Sequence, residues 1–480
     1  MALMGAALAS PFHPRAYLES RAGRSLDRRA EDISPPAEYS NTLIEKRADP
    51  HILKHTDGFY YFTASVPAYD QVILRRAETI EGLRNAPETV VYQRNATSGP
   101  GSGYLWAPEI HHVNGKWYIY VASEINGRGS WAIRPIVFEG TGDNPLEATW
   151  VDKGVIATGI DDFSLDMTVF EVNGVQYASW AQTDPSFGSG TGLFIARLSN
   201  PWTLELPSVG ISYPTLAWER IGHNVNEGAY VIVRGGKVFL TYSASATDHN
   251  YVVGLLTADE TADLTDPEVW TKAQQPVFQS YEPTENWGPG HNCFTVSEDG
   301  KSDLFVYHSR GYKDIVGEPL NNPDRRTRVQ KLYWRADGTP DFGVPVAEGL
   351  TPVRLRTVGQ DAQYLANEGD AQNIVTGSDL PVEVTLFRIN NPGPSGDGSV
   401  SLESASLPGH FISNQDGQAV LVKESDSDDF KLAASFELVT GLSDAEGVSF
   451  KTGDAYLVVS SDGVIVGTAD DEAAATFFTE

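Results

Sequence analysis

Five short stretches carry a polar side chain able to do chemistry. They are Ala48-Asp49-Pro50-His51, Trp106-Ala107-Pro108-Glu109, Ser164-Leu165-Asp166-Met167, Asn226-Glu227-Gly228 and Gly288-Pro289-Gly290-His291-Asn292. A fold that gathers them places four carboxylates and an imidazole together. Neighbouring carboxyls push their pKa values apart, so one can stay ionised while another keeps a proton at the same pH. A base and an acid of that kind suit cleavage of a glycosidic bond: one carboxyl protonates the leaving oxygen and another activates water or attacks directly. Trp106, three residues before Glu109, offers a sugar ring a stacking surface. Two other uses of the same residues stand beside this one. Asp and Glu could supply oxygen ligands to Ca²⁺, although no compact Asp-x-Asp-x-Asp-Gly loop occurs here. Alternatively, the polar groups could merely hydrogen-bond across a water-filled channel. A serine hydrolase is disfavoured by the lack of a Gly-x-Ser-x-Gly elbow, and no phosphate-binding or dinucleotide glycine fingerprint is present.

The elements that must position these residues follow a repeat. A glycine turn leads into an aromatic-rich strand at Asp57-Gly58-Phe59-Tyr60-Tyr61, Asn114-Gly115-Lys116-Trp117-Tyr118, Asn173-Gly174-Val175-Gln176-Tyr177, Gly235-Gly236-Lys237-Val238-Phe239 and Asp299-Gly300-Lys301 through Phe305-Val306-Tyr307. The reference glycines 58, 115, 174, 235 and 300 are spaced 57, 59, 61 and 65 residues apart. Asn-Gly and Asp-Gly before alternating apolar residues signal tight hairpins. About 60 residues hold four short strands, so five such units read as a five-bladed β-propeller. The strand before each turn is then the innermost of its blade. Asp49, Glu109, Asp166, Glu227 and His291 lie nine, six, eight, eight and nine residues before their glycines, at one end of the axis.

The chain has 480 residues, enough for two to four domains. Its 64 acidic residues against 35 Lys and Arg give a net charge of −29. That balance argues against nucleic acid, whose binding needs clustered cations, and against an anionic membrane surface. No apolar stretch is long enough to cross a bilayer. The one cysteine, Cys293, excludes an intramolecular disulfide and reads as a small core residue. Residues 1–39 read as a tail or a processed leader. Their apolar start is short and lacks a basic region, yet secretion is the expected localisation. Asn95-Ala96-Thr97 is a glycosylation sequon.

In combination the motifs resemble the family-43 glycoside hydrolases over roughly residues 40–347. Arg325-Arg326-Thr327-Arg328-Val329-Gln330, with Trp334 and Asp337-Gly338 after it, fits the same pattern. The resemblance implies a five-bladed, inverting hydrolase. It makes Asp49 the general base, Glu227 the general acid and Asp166 the group that tunes and orients the acid. It leaves Trp106, Glu109, His291 and Arg328 as candidate sugar contacts, with a surface ion pair as the plainer reading of Arg328. It implies no cofactor, although some relatives place a calcium ion near the position of His291. Within the family the chain looks most like exo-acting α-L-arabinofuranosidases. These act on arabinan or on arabinose-bearing side chains of hemicellulose and pectin. The alternatives are a β-xylosidase of the same family and a propeller that binds sugar without catalysis.

Composition changes after Gly349. All ten Trp lie before residue 335, and residues 351–480 carry 21 acidic against 6 basic residues. Leu355, Leu402 and Phe450 recur at intervals of 47 and 48 residues. Three all-β units of this length predict a β-trefoil over 349–480, after a propeller over 40–348. The trefoil resembles arabinofuranose-binding modules but departs from them. Asn367, Asn414 and Ser460 fall where those modules place His, and Glu383, Ala433 and Ala474 where they place Asp. A pocket without those groups loses most of its orienting hydrogen bonds, so weakened sugar binding is expected, with the trefoil packing on the propeller.

Overall fold

The computed structural model describes residues 39–480 apart from 95–96, 130, 360–362, 369–370 and 462. The expected leader up to residue 38 and the Asn95 sequon lie outside the described residues. The chain is all-β, with five antiparallel sheets followed by a larger, closed sheet system. The innermost strands of the five sheets are Ala48–Lys54, Leu105–Val113, Ser164–Val172, Asn226–Arg234 and Trp287–Val296. Each is the edge strand that precedes a glycine turn, as the repeat predicts. In blades two and three the turn is two residues long. Asn114 and Gly115 have φ of 51° and 77°, and Asn173 and Gly174 have 52° and 79°. Positive φ at both positions matches the twist of the flanking strands and favours Asn-Gly.

Apolar side chains fill the wedges between blades. Tyr61, Val72 and Leu74 of blade one meet Ile110, Trp117 and Ile119 of blade two, all buried. Each such side chain contributes about 1.5–3 kcal/mol on burial. Residues 40–44 close the ring. Ser40–Asn41 pairs with Gly349–Leu350, the Leu43 amide donates to the Thr327 carbonyl, and the Thr327 amide donates to Ile44. The Asn41 side chain bonds both the amide and the carbonyl of Val329, at 2.9 and 2.8 Å.

Residues 353–479 form the β-trefoil. Its first strand, Val353–Thr357, pairs with its last, Phe477–Thr479, and with Leu386–Asn390. The three recurring residues Leu355, Leu402 and Phe450 are all fully buried in one core. The trefoil lies against the propeller through several bonds. The Tyr281 hydroxyl donates to the Ser406 carbonyl, Arg388 donates to the carbonyls of Ala347 and Leu350, and the Tyr333 hydroxyl donates to the Glu480 carbonyl. Register corrects one expectation. Tyr364, Phe411 and Tyr456 open equivalent hairpin strands, so Asn367 and Asn414 match Val459, not Ser460. The third unit thus carries an aliphatic side chain where a sugar-binding His would stand.

Candidate active site

Every innermost strand breaks its ladder at the same place. Two residues face one across the pair 48/51, and likewise at 106/109, 165/168, 227/230 and 290/293. The first residue of each bulge is left-handed: Asp49 (φ 52°), Ala107 (45°), Asp166 (56°), Gly228 (56°) and His291 (44°). Bulges of this kind re-aim a side chain, and left-handed backbone at a non-glycine residue is a cost kept where function needs it. Here the five bulges turn Asp49, Asp166 and His291 towards one another. His291 Nδ1 lies 3.4 Å from Asp49 Oδ1 and 3.9 Å from Asp166 Oδ2. At blade four the bulge residue is glycine. A Cβ there would come within 3.1 Å of the His291 ring, so this close approach requires glycine.

Asp49 is held as an anion. Arg325 Nη1 reaches its Oδ1 at 3.0 Å, and the Ser65 hydroxyl donates to Oδ2 at 2.6 Å. Burial opposes the charge, but the Arg325 guanidinium outweighs it. The carboxyl stays well below the usual Asp range. The amide N–H of Asp49 donates to His308 Nδ1 at 3.1 Å. Burial pushes the His308 imidazole down to about 3, against the pull of Asp49, so the ring is neutral and able to accept that bond.

Asp166 and Glu227 behave in the opposite sense. Asp166 is raised well above the usual range by burial and by the charges of Glu227 and Asp49, despite a bond from the Gly228 amide at 3.2 Å. Glu227 is half-buried. Burial raises it to about 7; the Tyr251 hydroxyl, which donates to Oε1 at 2.7 Å, pulls it down, and Asp49 pushes it up. The pair therefore retains a proton at a pH where Asp49 has none. Tyr251 also stacks on His308 at 5.7 Å with the rings 6° apart. One continuous contact thus runs from the Asp49 backbone through His308 and Tyr251 to Glu227. An ionised carboxylate facing a proton-bearing pair is the equipment for general base and acid work.

Comparison with known proteins agrees with this geometry. The family described as glycosyl hydrolases family 43 matches residues 39–340. The chain belongs to that family. Residues 353–477 match the α-L-arabinofuranosidase B domain, a trefoil-like carbohydrate-binding module. The chain is 55% identical over 432 residues to α-L-arabinofuranosidase 43 of Humicola insolens, covering 87% of this chain and 89% of that one. It is 50% identical over 417 residues to an extracellular exo-α-(1→5)-L-arabinofuranosidase of Streptomyces avermitilis, covering 87% and 86%. The crystal structure of an α-L-arabinofuranosidase from Lactobacillus brevis superposes with a TM-score of 0.63 at 48% identity, over 65% of this chain and 98% of that one. This family-43 chain is accordingly a glycosidase.

Two expected contacts are corrected in the family-43 site. Arg328 is fully buried and bonds Glu348 at 2.6 Å, opposite Tyr307 in the blade-five ladder. It can meet neither sugar nor the surface. Arg325, three residues earlier, is the arginine on Asp49, and its Nη2 bonds the Tyr69 hydroxyl at 2.9 Å. Glu109 stands two residues beyond its bulge, not on it, so it joins a deeper ring with His51. Its Oε2 lies 2.8 Å from His111 Nε2 and 4.0 Å from His51 Nε2. Trp106 is 9% exposed and stacks on Tyr104 at 5.5 Å. Cys293 is buried and accepts the Ile52 amide. Among the described residues, His51, Glu109 and His111 are the group of donors close enough to share an ion. Two imidazoles and one carboxylate do not match the six to eight oxygens that calcium takes. Ser65, Tyr251, His308 and Arg325 were not singled out from the sequence. Only Arg325 lay inside a recognised motif, where three arginines are alike in type.

Proposed function

We propose that this family-43 chain is an inverting exo-α-L-arabinofuranosidase, with the opposed protonation of Asp49 and the Asp166–Glu227 pair as the observation that carries the reading. Asp49 takes a proton from water as the water attacks the anomeric carbon. Glu227, the less buried carboxyl of the pair, gives its proton to the leaving oxygen. Asp166, bonded to the Gly228 amide beside Glu227, keeps that proton in place by repulsion and fixes the neighbouring backbone. Inversion needs base and acid on opposite faces of the sugar with room for one water. Arg325 and Ser65 hold the base in a single pose, and Tyr251 holds the acid. No cofactor takes part in this scheme. The named activities of the relatives point to arabinofuranosyl residues. We take the substrates to be arabinan and arabinose-bearing side chains of hemicellulose or pectin, met outside the cell. The extracellular relative and the lack of a helix long and apolar enough to cross a membrane, among the described residues, fit that setting.

The trefoil is proposed to have lost sugar binding and to serve as a rigid neighbour of blade five. Asn367 spends its side-chain amide on Ser404, and Asn414 accepts the Gly417 amide in its own turn. Activity is tested by arabinose release from linear α-1,5-arabinan. Glu227→Ala abolishes release while the melting temperature stays near that of the parent chain. Full activity in the variant, or release of xylose from an aryl xyloside instead, overturns the assignment.

A further inference from the structure

Arg310 ends the second strand of blade five, Asp303–Arg310, and takes no part in the scheme above. It is 1% exposed. All three of its hydrogen-bond acceptors are neutral. Nε donates to Asn322 Oδ1 at 3.0 Å, Nη1 to the Thr247 carbonyl at 2.6 Å and Nη2 to the Pro319 carbonyl at 2.9 Å. A buried cation on neutral oxygens keeps its desolvation cost without the compensation that a bonded carboxylate gives. Arg325 adds to that cost: burial first, and then the neighbouring guanidinium, push Arg310 down to about 10. Groups held on such terms cluster at functional sites.

The three bonds brace the loop 311–325, which leads from this strand to the next, Arg326–Trp334, and carries Arg325 at its end. Val316, midway along the loop, is 99% exposed, so apolar burial does not hold that part. Polar bonds fix the rest. Arg310 reaches across the loop to Pro319 and Asn322. Its bond to Thr247, between the blade-four strands Lys237–Ala244 and Val252–Asp259, ties the loop to the neighbouring blade. Asn322 Oδ1 also accepts the Asp324 amide at 3.1 Å. Its Nδ2 donates to the Tyr312 hydroxyl at 2.7 Å, which donates to Asp324 Oδ2 at 2.9 Å. Asp324 is thus held by backbone and side chain, and the next residue is Arg325. On the far side the Tyr69 hydroxyl donates to the Leu320 carbonyl and receives Arg325 Nη2.

We propose that Arg310 is a positioning residue for the general base: through Asn322 and Pro319 it fixes the path of the loop 311–325, and with it the reach of Arg325 to Asp49. This inference rests on the reading of Asp49 as the base. Besides Arg325, Asp49 faces His291 and His308 of blade five, Asp166 of blade three and Glu227 of blade four. Those four stand on strands. Arg325 alone is delivered by a loop, so a slackened loop acts on Asp49 through Arg325. An adjacent arginine favours the ionised carboxylate, and one that is loosely held gives up part of that effect.

The test is the pH profile of arabinose release from α-1,5-arabinotriose by the full chain, with kcat and KM separated. The base must be ionised to work, so a higher value for Asp49 removes rate on the acid side. Asn322→Ala, at a partly exposed position, cuts the link to Asp324 and leaves Arg310 in place. Its acid limb of kcat/KM moves up by roughly 0.5–1 pH unit, part of what an adjacent arginine is worth to a carboxyl. The loss falls on kcat, with KM within about twofold of the parent, because the base acts in the chemical step. Arg310→Met moves the limb further in the same direction. Arg310→Lys keeps a cation but cannot serve three acceptors in a fixed fork, and its limb moves as in the Met variant. An acid limb that stays in place in these variants, with rate lost equally at every pH, overturns the proposal. So does a parental profile in Arg310→Lys, which makes charge alone the function. If Arg310→Met does not fold, Asn322→Ala carries the test. Failure of the underlying reading looks different: Asp49→Asn then keeps full activity.

Discussion

Replacing Tyr251 by Phe separates the acid's protonation from its position. The hydroxyl donates to Glu227 Oε1 at 2.7 Å and so favours the ionised carboxylate. Phe keeps the ring that stacks on His308 and removes only the donor. A hydrogen bond to a charged group is worth about 1.5–3 kcal/mol net, and one pKa unit corresponds to about 1.4 kcal/mol. The carboxyl therefore rises from about 7 by roughly one to two units, less whatever a water molecule restores. The acid must be protonated to work, so activity is lost as pH rises through this value. A higher value carries the alkaline limb of kcat/KM upward. The acid limb stays in place, because it reports Asp49, held well below the usual range against burial by the Arg325 guanidinium. The assay is arabinose release from arabino-oligosaccharides across a pH series. The variant gains on the parent above neutrality while losing some rate at the optimum. An alkaline limb that stays fixed or moves down refutes the assignment of the proton to Glu227 and its neighbour Asp166.

Three further expectations follow from other contacts. Gly228→Ala puts a methyl 3.1 Å from the His291 ring at a left-handed position; kcat/KM falls roughly tenfold or more through misplacement of Glu227, while thermal melting registers only about 1–2 kcal/mol. Glu219 is fully buried and receives Lys272, Tyr242, Asn226 and the Leu216 amide; Glu219→Gln leaves the Lys272 ammonium without its anion and lowers stability by roughly 3 kcal/mol, read from the urea midpoint. In calorimetry with arabinotriose, the full-length Glu227→Gln chain binds at one site per molecule. A second site in the trefoil contradicts its proposed loss of sugar binding.

The blade count was legible because each blade repeats one local signal, a glycine turn before an aromatic strand, and local signals survive in sequence. Leu355, Leu402 and Phe450 were legible for the same reason, since a trefoil needs one large core residue per unit. The phase of the catalytic ring was less so. A bulge is a property of the ladder between two strands, and counting back from a turn glycine cannot reveal an extra residue. Glu109 and Glu227 were thus grouped with Asp49, although the true equivalents are Ala107 and Gly228. Arg325 and Arg328 differ in surroundings, not in type: one precedes its strand and reaches over the axis, and the other lies inside the ladder. Tyr251, just before a strand of blade four, and His308, within a strand of blade five, act as a stacked pair, a relation no linear motif carries.

The five bulges make the axial ring a set of interchangeable addresses. Whatever residue occupies the first bulge position is delivered to the same place, whichever blade it comes from. Three addresses carry ionisable groups, one carries glycine, and one, Ala107, carries only a methyl. Chemistry can therefore be added to or removed from this ring one blade at a time, without redesigning any strand. Ala107 is the address that brings no polar group, and its methyl packs in a buried cluster with Tyr69, Trp106 and Leu165, so a polar group acquired there would have to displace that packing.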